Sequence, residues 1–303
     1  MLKTHLWLAL GGFALRAGAA SLTNNSSADT SLLEIEPAHN NGGQGFTISG
    51  ALQNPPVNPL RTRALYRFDF TALPTNTLIR AVVLELTVTR QPGDGLANSA
   101  FGIHRMLRPW GEGTNVAIDH PGQGTPATAG EATWSHSFFP TNAWAAAGGA
   151  ADVDFVGAES SFADVTIDGT SPRFATTPEL VDDLQSWVNN PQSNFGWILI
   201  SDAEDTAFTA RHFGSREDPN NHPNLEIEFL VPPRFDSAQR IGSQFQMRFT
   251  PWPGQSYTVQ FRTNFTTADW QTLTNLGLAT NATQILVADP VTTVPRFYRL
   301  SSY

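Results

Sequence analysis

Apolar residues in this chain recur with period two, and the runs they form are cut apart by stretches rich in Gly, Pro and Asn. Such a pattern builds half-buried strands joined by turns, and it leaves no room for the repeated helices of a bundle or of a wound α/β sheet. In 64–70, Tyr66, Phe68 and Phe70 share one face while Arg67 and Asp69 take the other. In 79–89, Val82, Leu84, Leu86 and Val88 oppose Val83, Glu85 and Thr87. Further strands are expected at 100–106, 162–167, 196–201, 207–213 and 225–230, with 91–98 and 111–130 as the most turn-rich connections. One helix is expected. Thr177 is placed to cap it and Pro178 to open its first turn, and Leu180, Val181, Leu184, Trp187 and Val188 form one stripe before Asn189, Asn190 and Pro191 end it. Many short strands and a single helix predict an all-β, antiparallel β-sandwich over about 31–230.

Two consecutive prolines, Pro232 and Pro233, stiffen the segment 231–234 and read as a linker. Beyond it Phe245, Met247 and Phe249 alternate, as do Tyr257, Val259 and Phe261, with a turn at Pro251, Trp252, Pro253 and Gly254 between the two runs. With Trp270, Ile285, Val287 and Phe297 continuing the series, 234–303 is expected to be a second, smaller β-sandwich with a thin core.

Composition narrows the chemistry. Charged residues make up 15% of the 303, the formal net charge is -9, there is no Cys, and the single lysine among 18 basic residues is Lys3. The chain therefore lacks a disulfide frame, a thiol nucleophile and a thiolate metal site, and beyond its first residues it lacks a Schiff-base or phosphate-loop lysine. A chain of this charge offers no polybasic patch, so neither nucleic acid nor an anionic membrane is an expected partner.

At the N-terminus Lys3 and His5 precede the apolar run Leu6–Leu15, and Ala17, Gly18, Ala19 and Ala20 supply small residues after it. This order of charge, short apolar run and small residues predicts a signal peptide over 1–20, export, and an extracellular protein. The run is about half the length of a membrane span, and no later segment is apolar for long enough to be one. Cleavage removes Lys3 and Arg16 and none of the 27 acidic residues, which leaves a net charge of -11.

Three ordered blocks resemble the disaggregatase-related domain family often labelled DNRLRE, part of which is classed as carbohydrate-binding module family 96. The first runs from Arg63, Leu65, Arg67, Phe68 and Asp69 through Leu73 and Pro74 to Val82, Leu84 and Leu86. The second joins His104, Arg105, Arg108, Trp110, Glu112 and Gly113 to Thr133 and Trp134. The third takes in Trp187 and Val188, then Asn194, Gly196 and Leu199, then Phe213, Ser215, Arg216 and Glu217, then Pro223 and Leu225. The resemblance covers 31–230 and implies a jelly-roll-like sandwich that binds a polysaccharide or serves as a structural module at a cell surface. The last 70 residues resemble a fibronectin-type-III-like unit of exported bacterial proteins.

Sugars are held by flat aromatic faces and by planar polar groups on their hydroxyls, so Trp and Arg on loops are the residues to weigh. The carbohydrate-binding candidates are Arg105, Arg108, Trp110, Trp144 and Arg216. Two readings of Trp110 stand side by side: a sugar platform in a Gly-rich loop, or a packing residue at the sandwich edge, the commoner fate of a large aromatic. Trp144 is undecided in the same way, whereas Trp134, Trp187 and Trp197 are expected in the core. Arg63, Arg67, Arg211 and Arg216 are expected to pair with carboxylates such as Asp69, Glu85 or Glu217, the rival being a groove that grips uronates.

No catalytic residue is assigned. The histidines His104, His120, His136, His212 and His222 are scattered without a hydrolase or metalloprotease motif. Asp119 and His120, with Glu112 nearby, are expected to be solvated rather than an acid–base pair. No metal ligand set and no cofactor is assigned; calcium is the one ion the acidic loops 202–205 and 217–221 suggest, and ordinary solvated turns are the expectation there. The sequence thus reads as a non-enzymatic carbohydrate-binding or adhesion protein, with a glycan-free structural module as the alternative, and it leaves the oligomeric state open.

Overall fold

A computed structural model describes residues 20–54, 58–74, 76–91, 98–266 and 269–302; apart from Ala20, the signal segment expected at 1–20 lies outside the described residues. The chain divides into two compact units, Ser21–Phe229 and a second from Leu230 onward.

The strands of the main sheet in the first unit, the short Arg173–Phe174 aside, are β1 (Ala20–Leu33), β2 (Phe46–Asn54), β3 (Asn58–Phe68), β4 (Leu78–Glu85), β5 (Val88–Arg90), β6 (Ser99–Arg105), β7 (Ser161–Val165), β8 (Trp197–Ser201), β9 (Arg211–Gly214) and β10 (Asn224–Leu230), with one α-helix, α1 (Pro178–Asn189), among the described residues. The fold is all-β, as the alternation requires. Among the described residues one eleven-stranded sheet runs in the order β7, β6, β8, β3, β1, β10, β4 and Arg173–Phe174, and β2, β9 and β5 branch from it. The branch lies at β3, whose first half pairs with β2 while its second half pairs with β8. Two layers then face each other. Phe101 of β6 meets Phe213 of β9 edge-on at 5.6 Å, and the Ser49 hydroxyl of β2 donates to the Leu199 carbonyl of β8 (2.8 Å).

The helix forms where its signals lie. The Leu180 N–H donates to Thr177 Oγ1 (3.0 Å), and Leu180, Leu184, Trp187 and Val188 are buried. Trp187 packs on Trp197 with ring centroids 4.6 Å apart, and the Trp197 indole N–H donates to Asp183 Oδ2 (2.9 Å). Asp183 is a carboxylate inside an apolar stripe; burial pushes its pKa up, against hydrogen bonds from Ser160 and Trp197 and the charge of Arg105.

Strand β1 is the main departure from the sequence reading. It reaches back to Ala20 and lies inside the sheet between β3 and β10. Its sequence, ASLTNNSSADTSLL, carries little apolar periodicity, yet Ser26, Asp29, Thr30 and Ser31 are buried. Their polar atoms are satisfied by residues remote in sequence: the Ser31 N–H donates to Asn41 Oδ1 (2.9 Å) and the Asp29 N–H to Glu112 Oε1 (2.9 Å). Short polar side chains with such partners are buried at little cost, and hydropathy does not register them.

The second unit holds β11 (Ser237–Ile241), β12 (Gln244–Phe249), β13 (Ser256–Arg262), β14 (Gln271–Leu278), β15 (Ile285–Pro290) and β16 (Phe297–Ser302). They form two three-stranded antiparallel sheets, β11–β12–β15 and β14–β13–β16. Met247, Phe249, Tyr257, Val259, Val287 and Leu300 fill the core between them.

Candidate functional site

The residues singled out for sugar binding are held by the protein itself. Trp110 is 1% exposed, in a cluster with Met106, Trp134, Trp144, Phe155 and Ile198. Its indole N–H donates to the Phe195 carbonyl (2.8 Å), and the Arg67 guanidinium covers its ring at 5.2 Å. Trp144 is 5% exposed and donates to the Thr133 carbonyl (2.9 Å). Neither indole offers a face to a ligand, which corrects the reading of both as platforms. The physical reason is that 106–155 is no free loop but a layer folded onto the sheet. A Cβ on Gly111 would lie 1.8 Å from the Gly130 carbonyl oxygen, so only glycine allows the two passes of this layer to approach. Buried Asp154 pins the far end, accepting from the N–H groups of Ala145 and Ala150, each at 2.8 Å.

The arginines are pinned as well. Arg108 pairs with Asp154 (2.9 Å) and Arg105 with Asp183 (3.3 Å). Arg63 makes a fork to Glu204 and also donates to the Gly148 and Gly149 carbonyls. Arg67 stacks on Trp110, and Arg211 donates to the backbone carbonyls of Thr166, Thr209 and Ala210. The partners suggested from sequence differ in part: Glu85 pairs with Arg173, and Asp69 accepts from Thr71 within a turn. The acidic loop 202–205 has its own explanation, because Asp205 pairs with Arg61 (2.6 Å) and Glu204 with Arg63 (2.6 Å). In 217–221, Asp218 accepts from the N–H groups of Asn220 and Asn221 and closes a turn.

Arg216 lies in a cluster of three acids. The carboxylates of Asp29, Glu112 and Glu217 come within 4.8 Å of one another. Arg216 donates through Nε to Glu112 Oε1 (3.0 Å), pairs through Nη2 with Glu217 (2.7 Å), and gives its backbone N–H to Asp29 Oδ2 (2.8 Å). The guanidinium supplies the positive charge the three acids need, so Arg216 is a clamp between β1 and the segment after β9 rather than a free grip for uronates. Burial pushes the Asp29 carboxyl up to about 7, and Glu217 and Glu112 add to the effect.

An open concave surface of this unit lies elsewhere. A groove of about 480 Å³ runs over the outer side of β2, β5 and β9. Ile35, Leu52, Phe208 and Ala210 give it an apolar floor, while Arg90, Gln91, Asp119, His120, Gln123 and His212 supply polar groups. Its floor is built by close approach. Gly50 has φ +113°, and a Cβ there would sit 2.6 Å from the Thr209 carbonyl oxygen, so the glycine lets the segment before β9 lie flat on β2. Phe208 holds φ +65°, a left-handed conformation that costs a non-glycine residue of order 1 kcal/mol or more. Gln91 Oε1 is buried with no hydrogen-bond partner among the described residues. His212 stacks on Phe46 at 4.2 Å, and burial, aided by the charge of Arg90, pushes its imidazole down to about 4, so it is neutral at physiological pH. Asp119 and His120 stand exposed on the rim, and Glu112, once their candidate partner, belongs to the Arg216 cluster.

Sequence reasoning did not assemble this groove. Its polar groups come from three separate stretches of chain, and only His212 within β9 and the Gly/Pro-rich run at 119–123 carried any signal.

No family model matches the chain, and no curated protein is similar to it. Among solved structures, the β-1,2-glucanase from Parabacteroides distasonis aligns over 93% of this chain and 34% of its own length, at 9% identity and a TM-score of 0.18. The chain thus spans about a third of that protein's length, and a superposition of this quality defines neither a common fold nor a shared activity.

Proposed function

We propose that this protein is an exported, non-catalytic binding or adhesion module whose sandwich unit engages a polysaccharide in the groove over β2, β5 and β9. The groove itself carries the proposal: a volume of about 480 Å³, an apolar floor for sugar C–H faces, and planar donors and acceptors on Arg90, Gln91 and Gln123 for hydroxyls. One cation, Arg90, and one carboxylate, Asp119, suit a hydroxyl-rich ligand better than a highly charged one. Among the described lining residues Asp119 is the one carboxylate, whereas glycoside hydrolysis uses two across the scissile bond. The resemblance of 31–230 to a family that includes carbohydrate-binding modules points the same way.

A structural spacing module is the second reading, and one observation favours it: Trp110, Trp134, Trp144, Trp187 and Trp197 are all buried, so the unit shows no tryptophan platform. Affinity electrophoresis of the full chain against a panel of neutral polysaccharides separates the two. Under the binding reading at least one polymer retards the protein, and Arg90→Ala with His120→Ala weakens that retardation on the order of tenfold, the loss of a charge-assisted hydrogen bond, with an unchanged melting temperature because both side chains are exposed. A wild type that passes every polymer unretarded decides for the spacing module.

Export has its own test. N-terminal sequencing of protein recovered outside the cell is expected to begin at residue 20 or 21, and recovery of a chain starting at Met1 would refute the signal peptide.

A further inference from the structure

We propose that the outer face of the sheet β14–β13–β16 in the second unit binds an anionic polysaccharide, whose carboxylate or sulfate groups are taken by Arg262 and Arg299 beside Trp270. The inference concerns a different unit from the groove and does not rest on it.

The register builds the face. On β13 the core takes Tyr257 and Val259, so Gln260 and Arg262 point the other way, opposite Arg299 and Phe297 of β16. These residues, with Phe265 and Trp270, form a ladder in which aromatic rings and guanidinium groups alternate. Phe265 lies on Phe297 at 4.2 Å, Arg262 on Phe265 at 4.0 Å, and Arg262 and Arg299 on Trp270 at 4.6 and 4.4 Å. Stacking on an aromatic face favours each cation.

The charges in this ladder are left unbalanced, and there it differs from the seven arginines of the protein that are held by carboxylates. In the sandwich unit Arg61, Arg63, Arg105, Arg108, Arg173 and Arg216 each meet a carboxylate, and in the second unit Arg296 pairs with Asp289 at 2.6 Å. Among the described residues Arg262 and Arg299 meet none. The Nε of Arg299 donates to the neutral Gln260 amide (2.7 Å), and the Nε of Arg262 is buried without a partner. Two like charges thus share one indole, and burial, followed by the charge of Arg262, holds Arg299 below the ordinary guanidinium value. A structural clamp gains nothing from this arrangement, since one acid at either position would relieve the repulsion. A bound anion relieves it equally well, and guanidinium forks match the planar oxygens of a carboxylate or a sulfate.

The neighbouring Phe265, 44% exposed, gives a sugar ring an apolar surface next to the charges. Alternating anionic groups and C–H faces are what a charged polysaccharide presents. A nucleic acid carries a denser line of phosphates and is held by many cations at once, which a chain of net charge -9 with two guanidiniums on this face does not supply.

The test runs the full chain in affinity gels containing polygalacturonate, dextran sulfate or uncharged dextran. One or both anionic polymers are expected to retard it, with the retardation lost at high salt, and the polymer preferred tells carboxylate from sulfate. Arg262→Gln with Arg299→Gln is expected to weaken that retardation at least tenfold. Where the glutamine pair abolishes the melting transition, Arg262→Lys with Arg299→Lys keeps the charge without the fork and is expected to bind several-fold more weakly. The proposal is overturned if neither anionic polymer retards the wild type, if the folded double variant binds as well as the wild type, or if a single-stranded oligonucleotide binds more tightly than either polymer. Loss of groove binding alone leaves these results unchanged, so the two sites fail separately.

Discussion

Replacing Trp110 with alanine is expected to destabilise the first unit by about 3–5 kcal/mol, as much as Trp197→Ala, because both remove a fully buried indole from a packed core. The position of Trp110 between Pro109 and Gly111 suggests a residue to spare, but the tertiary contacts reverse that. At 1% exposure it fills a cluster with Trp134, Trp144 and Phe155, and its loss also orphans the Phe195 carbonyl and strips the ring from beneath Arg67. Trp197→Ala has a parallel consequence, since it takes the indole donor from Asp183 and leaves Trp187 facing a void. Equilibrium urea unfolding measures both. A Trp110→Ala variant whose midpoint matches the wild type would show that the layer 106–155 contributes nothing to the fold.

The second large effect concerns pH, where two buried groups pull in opposite directions. Asp29 titrates near 7 in the folded protein against an ordinary value of 3.8, so the folded state holds its proton more tightly than the unfolded one. The stability this contributes is fully present below pH 4 and is lost as the pH rises through 7. His212 is the reverse, depressed from 6.5 to about 4. Its contribution is fully present above pH 6.5 and is lost as the pH falls through 4. Between pH 4 and 6.5 the two slopes oppose, and single substitutions expose them. Asp29→Asn is expected to gain on the wild type as pH rises from 4 to 8, by about 1.4 kcal/mol per pH unit at the steepest and about 4 kcal/mol in all. His212→Phe keeps a ring on Phe46 and is expected to gain on the wild type as pH falls from 6.5 to 4. Urea midpoints at each pH check both, and profiles that run parallel to the wild type would refute the assignment.

Glu112 from one segment and Arg216 and Glu217 from another face Asp29, and a proton on Asp29 removes one of three negative charges held by one guanidinium. The cluster ties the central strand β1 to the segment after β9, so its titration reads out as global stability rather than as a local loop change.

Period-two alternation, the capped amphipathic segment and the turn-rich connections determined by themselves that the chain is all-β, with strands at Leu78–Glu85, Trp197–Ser201 and Asn224–Leu230 and one helix at Pro178–Asn189. These features are local. The backbone period and the cap are set by residues within a few positions of one another, so a linear reading recovers them. Which side chains are free to act was decided only by contacts between distant segments. Trp110 is closed off by a carbonyl 85 residues away, Arg216 is bound by a glutamate 104 residues away, and the polar strand β1 is buried because Asn41 and Glu112 satisfy it. The groove and the guanidinium ladder have the same origin: each gathers side chains from separate strands and loops onto one surface. Periodicity records which face of a strand is apolar, whereas the partner that covers a polar or aromatic side chain is chosen by the packing of the sheet, and that choice leaves no local trace in the sequence.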